Sequence, residues 1–86
     1  MEKNVRYMFE GKEYIGSFDA MEELCASYFK QVKQWRDEGM PHMRVAGIRA
    51  CKLLYHIPDC KRWFAGEEFD SPIIEVSKVM LEGGVT

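Results

Sequence analysis

Along the first third of the chain the apolar and polar positions change period once. Val5-Arg6-Tyr7-Met8-Phe9 and Glu13-Tyr14-Ile15-Gly16 read as two short strands, joined across the three-residue loop Glu10-Gly11-Lys12, whose glycine can take positive φ. The period then lengthens. Asp19 is placed to cap a first helix in which Met21, Leu24, Cys25 and Tyr28 fall at helical spacing, with Glu22 and Glu23 in the first turn. Ala26-Ser27 breaks the pattern, and Ser27 can cap a second helix running to Glu38, with Phe29, Val32, Trp35 and Arg36 on one face. Gly39 and Pro41 stop it.

From His42 the period becomes two. Met43 and Val45 alternate with His42 and Arg44, and Leu53 and Tyr55 alternate with Lys52, Leu54 and His56, which predicts a second hairpin with its tip at residues 46–51. Pro58 suits the first turn of a short helix through Phe64, with Trp63 inward and Gly66 at its end. Ser71-Pro72 reads as the start of a last helix, closed by Gly83-Gly84, whose residues Ile73, Ile74, Val76, Val79, Met80 and Leu81 form a wide apolar face. That face either covers the core or pairs with a second copy through Ile73, Val76 and Met80. The expected fold class is α+β in a single domain over 1–86: a hairpin at 1–18, a winged helix-turn-helix at 19–65, and a linker with a helix at 66–86.

Size narrows the function classes. Eighty-six residues, 47% of them hydrophobic, make one thin core with no room for a deep enclosed active site. No stretch approaches the length of a membrane span, and Met1-Glu2-Lys3-Asn4 lacks the order of a signal peptide, which places the chain in a cytosol. The net charge of −2 argues against nucleic acid as a sum, but not by position. Residues 1–29 hold three basic groups against six acids, residues 30–62 hold eight against three, and residues 63–86 hold one against five. A basic block of net charge +5 therefore lies between acidic flanks of −3 and −4.

Two helices followed by a basic hairpin and a short helix is the element order of a winged helix-turn-helix, with the second helix in a major groove and the hairpin as the wing. If Phe29, Val32 and Trp35 face inward, then Lys30, Gln31, Lys33, Gln34 and Asp37 face outward. Gln can pair with adenine N6 and N7, and Lys reaches guanine O6/N7 or phosphate. Arg44, Arg49 and Lys52 on the wing would meet backbone or a minor groove.

The run from Val32 to Gly47, followed by Leu53-Leu54-Tyr55 and Asp59-Cys60-Lys61-Arg62-Trp63-Phe64, resembles the excisionase-type winged helix-turn-helix. That group includes phage and transposon excisionases, MerR-like small regulators and the DNA-binding head of some phage terminase small subunits. The shared marks are Trp35, the Glu38-Gly39-Met40-Pro41 exit, Arg44 and Gly47 leading into the wing, and Trp63 after it. The resemblance covers about residues 19–65 and implies a non-enzymatic, sequence-specific binder of double-stranded DNA without a cofactor. Tyr28 stands where the family usually has a capping Ser or Thr, and the first hairpin and last helix are additions.

Other chemistries are thinly supported. Cys25, Cys51, Cys60, His42 and His56 lack zinc-site spacing, and the simplest reading of the three cysteines is reduced thiols. A nucleophile pair of Cys60 with His56 would have no oxyanion site or pocket. Phe29, Trp35, Tyr55, Trp63 and Phe64 are most economically core. The alternative to DNA is a protein-interaction winged-helix module, such as a phage-encoded inhibitor, adaptor or packaging protein, working through the acidic flanks and the Ile73 to Leu81 face.

Overall fold

The computed structural model describes residues 4–46, 52–70 and 73–85. Its elements run β1 (Val5–Phe9), β2 (Lys12–Gly16), α1 (Ser17–Glu23), α2 (Phe29–Asp37), β3 (Met43–Ala46), β4 (Lys52–Tyr55), α3 (Ile57–Ala65), β5 (Ile74–Ser77), a 3₁₀ turn (Lys78–Met80) and β6 (Glu82–Val85). The α+β class holds. The six strands form one sheet in the order β5-β3-β4-β2-β1-β6, antiparallel at every step except β3 with β5, which run parallel.

The first hairpin forms as expected, with a tighter turn. Phe9 pairs with Lys12, so only Glu10 and Gly11 lie between the strands, and both take positive φ, 51° and 79°. Left-handed dihedrals at both central positions are those of a primed turn, whose twist matches that of the flanking strands.

Asp19 does not cap α1. The helix starts three residues earlier, directly from the extended backbone of Gly16, and Asp19 is buried in its first turn. There its Oδ2 accepts a hydrogen bond from the Val5 backbone N–H at 3.1 Å, tying the start of β1 to α1. The helix also ends early, which puts Glu22 and Glu23 near its C-terminal end instead of its first turn. Cys25 adopts φ 56° and the Ala26 N–H reaches back to the Met21 carbonyl at 2.9 Å, closing the helix in a left-handed cap made without glycine. Tyr28 is consequently outside α1 and exposed.

The sheet buries both faces at its centre. On one face Val5, Tyr7, Tyr14, Met43, Val45, Leu54 and Val76 form a cluster from five strands with no helix among them. The sheet curls to close this cluster on itself. On the other face Ile15 and Tyr55 meet Ala20, Val32, Met40 and Cys60 beneath the three helices. Leu54 and Tyr55 are therefore both buried although they point to opposite faces, where one-sided alternation predicted Leu54 outward. Phe64, expected in the core, is 45% exposed and stands edge-on to Trp35, with ring centroids 4.7 Å apart.

The predicted last helix is two strands and a turn. Ile73, Ile74 and Val76 are β-branched and favour extended backbone, and β5 sets Ile74 and Val76 on the cluster side beside β3. Val76 is thereby taken up by the core and is not free to meet a second copy; Ile73 and Met80 remain exposed. The Gly83-Gly84 pair sits in β6 opposite Tyr7 and Arg6, not at a helix end.

Candidate nucleic-acid interface

α2 starts without the predicted serine cap. Its N-cap is Tyr28, in extended backbone, and the Gln31 side chain instead reaches back so that its Oε1 accepts the Ser27 N–H at 3.2 Å. Gln31 is accordingly half-buried and engaged in holding the helix start, which removes it from the predicted reading face. At the other end Gly39 takes φ 118°, a conformation that side chains rarely adopt, and α2 stops. Val32 is buried and Trp35 half-buried against Phe64, so the helix is held on its inner face by apolar contact.

That anchoring fixes what faces out. Lys30, Lys33, Gln34 and Asp37 are exposed, as the spacing predicts. Arg36, predicted on the inner face, is half-buried at its edge, where its Nη1 donates to the Tyr55 hydroxyl at 3.4 Å. Between α2, the start of α1 and the end of β4 runs an open groove of about 440 Å³. Its base is Val32 and Tyr55, Phe29 forms one wall, and Lys30, Lys33 and Arg36 line it with Ser17 at the start of α1.

The charge environment separates these cations from four others. Arg6 pairs with Glu13 at 2.9 Å, Lys12 and Arg62 with Asp59, and Arg44 with Glu75 at 4.0 Å. Among the described residues no carboxylate pairs with Lys30, Lys33 or Arg36. Three cations at i, i+3 and i+6 thus share one side of a helix with no counter-charge among the described residues. This spacing is visible in the sequence, and it was the signal for Arg36; the contributions of Ser17 and Tyr55 depend on α1 and β4 meeting beside α2 and have no local signature.

The wing residues fall differently. β3 and β4 form the expected hairpin, but β4 is also paired to β2 and β3 to β5, so its strands are central in the sheet and do not project alone. Arg44 is exposed and lies opposite Leu53, on the sheet face that carries the helices. Its pairing with Glu75 brings one acid of the C-terminal flank beside the basic block. Lys52 begins β4 opposite Val45, and Arg49 lies outside the described residues, as does most of the hairpin tip.

Cys60, His42 and His56 have structural partners. The Cys60 thiol is pushed up to about 12 by burial and, secondarily, by the neighbouring charge of Asp59, and it donates to the Pro41 carbonyl at 3.5 Å. A thiol so poised is no nucleophile at neutral pH. His56 Nδ1 donates to the Glu13 carbonyl at 2.9 Å while its Nε2 faces the Asp59 carboxylate at 3.9 Å, and His42 Nδ1 donates to the Met40 carbonyl at 2.8 Å. Cys25 is exposed and unbonded to another cysteine, and Cys51 is outside the described residues. Among the described residues no three of His, Cys, Asp and Glu gather as a metal site, and no helix is long and apolar enough to cross a membrane.

Comparison with known proteins finds no family model, no curated protein and no solved structure that matches this chain.

Proposed function

We propose that this chain is a sequence-specific double-stranded DNA-binding protein of the excisionase and phage-regulator type, with α2 in the major groove and the β3–β4 hairpin toward backbone or minor groove. The observation that carries the reading is the exposed row on α2, where Lys30, Lys33 and Gln34 stand on an anchored helix and the lysines have no counter-charge among the described residues. A duplex supplies that counter-charge along its phosphates and supplies acceptors for Lys and Gln on its base edges. The order β2-α1-α2-β3-β4, with β4 lying between β2 and β3, supports a winged-helix arrangement in which the hairpin is built into a larger sheet.

The test is an unbiased selection of DNA sites at about 150 mM salt, where non-specific attraction is already weakened. A defined site should emerge, with affinity falling steeply as salt rises. Replacing Lys33 and Gln34 by Ala should relax the preference by about 1–3 kcal/mol per lost base contact. Arg49→Ala should weaken all sequences alike. No enriched site, together with unchanged binding in all these variants, would overturn the proposal.

A second reading, contact with protein or a second copy, is favoured by one observation. Ile73, Val79 and Met80 are 55%, 89% and 56% exposed, flanking the edge strand β5. Light scattering of the intact chain decides it, since a monomer at high concentration removes the self-association form of this reading.

A further inference from the structure

The groove beside α2 combines two features that a phosphate contact alone does not require. Exposed lysines suffice to meet a phosphate, yet here Val32, Tyr55 and Phe29 line the same groove as three cations. A volume of about 440 Å³ falls within the roughly 300–1,000 Å³ of small-molecule sites, which pair an apolar lining with a few placed polar groups.

The polar groups are specific in kind. Arg36 uses one guanidinium nitrogen on the Tyr55 hydroxyl, which restrains the side chain at the groove edge and leaves its other donors for a planar acceptor. Lys33, one turn earlier on the helix, lines the same groove, and neither side chain has a carboxylate partner among the described residues. We infer that this groove binds a small amphiphilic anion, a monocarboxylate whose head meets Arg36 and Lys33 and whose apolar body lies on Phe29 above Val32 and Tyr55. Charge complementarity selects the head, and the apolar base selects a body of several carbons over a bare anion. The occupant would also set a negative charge beside Lys30 and Lys33, so it would oppose any polyanion bound to the outer face of α2.

Octanoate is the probe, followed by amide chemical shifts of the isotope-labelled intact chain, with acetate and 1-octanol as controls for charge alone and apolar body alone. Octanoate should move the amides of Ser17, Phe29, Lys33, Arg36 and Tyr55 and saturate, while neither control does so at equal concentration. Lys33→Glu and Arg36→Gln should each weaken it by about tenfold or more, and Lys61→Gln, an exposed cation outside the groove, should not. The shift dispersion of each variant reports its fold in the same spectra. Octanol binding equally well, shifts gathered instead at Ile73, Val79 and Met80, or a response that never saturates would each overturn the site. The assay contains no DNA, so a chain that selects a DNA site but ignores octanoate loses only this inference, and one that binds octanoate but no DNA loses only the preceding proposal.

Discussion

Around Asp59 three basic side chains converge on one fully buried carboxylate, whereas along α2 three basic side chains line one groove and meet no carboxylate among the described residues. Asp59 sits in the first turn of α3, where the helix dipole already favours an anion, and Lys12, His56 and Arg62 reach it from β2, the β4–α3 junction and α3. A buried ionised carboxylate is costly unless it is paired and hydrogen-bonded, so the Lys12 and Arg62 cations answer a demand created inside the fold. Lys30, Lys33 and Arg36 answer no such demand. Basic residues that neutralise the interior belong to stability, and those left over on a rigid element are the ones available to a partner.

The sharpest way to break this contrast is to remove charge from each region and compare the melts. Asp59→Ala should lower stability by about 2 kcal/mol, because the carboxylate's charge-assisted hydrogen bonds are lost and the cage cations are left to solvent alone. In a chain this small that is a fall of about 10 °C in Tm. Lys30→Gln with Lys33→Gln should stay within about 0.5 kcal/mol of the parent in the same denaturation, as exposed substitutions without internal partners do. Comparable losses in the two regions would mean that the α2 cations are structural after all.

A smaller effect follows from the thiol beside the cage. The Cys60 thiol is raised from its ordinary 9.0 to about 12, first by burial and then by Asp59. Between these values the unfolded chain has released the proton and the folded chain still holds it, so the unfolded state binds fewer protons and stability falls as pH rises. The contribution is intact below pH 9 and is lost at up to about 1 kcal/mol per pH unit toward pH 12. Urea midpoints from pH 8 to 10.5 should therefore drop more steeply for the parent than for Cys60→Ala. Parallel slopes would show that Cys60 does not titrate differently in the two states.

What the residues reveal locally follows the same division. The first hairpin, α2, the β3–β4 strands and α3 were legible, because each carries its period, a stop such as Gly39 or Gly66, and a turn signal within a few residues. The exposure of Lys30, Lys33 and Gln34 was legible for the same reason: Val32 and Trp35 fix the inner face. The last segment was not. Ile73, Ile74 and Val76 satisfy a helical face as well as an alternating strand, and only the parallel pairing of β5 with β3, some thirty residues away in the chain, decides between them. Gln31 and Asp19 misled in another way. Both have side chains suited to the roles predicted, but long-range or capping hydrogen bonds to Val5 and Ser27 claim them. The cage around Asp59 was likewise invisible, since Lys12 arrives from a strand far away in sequence.

Arg44 lies between the two classes and yields the smallest prediction. It belongs to the basic hairpin expected to meet DNA, yet its Nε is 4.0 Å from the Glu75 carboxylate, with both side chains largely exposed. An exposed pair at that distance contributes little, so Glu75→Gln should change stability by less than about 0.5 kcal/mol. What it should change is availability. With the neighbouring acid neutralised, Arg44 regains its full charge toward solvent, and binding to unrelated DNA sequences should strengthen by a few-fold, with a steeper dependence on salt. Site preference should stay the same, because a backbone contact carries register and not sequence. If Glu75→Gln leaves both affinity and salt dependence untouched while the α2 variants do not, then Arg44 belongs with the cage cations as a residue of the fold, and the interface contracts to α2 and the groove beside it.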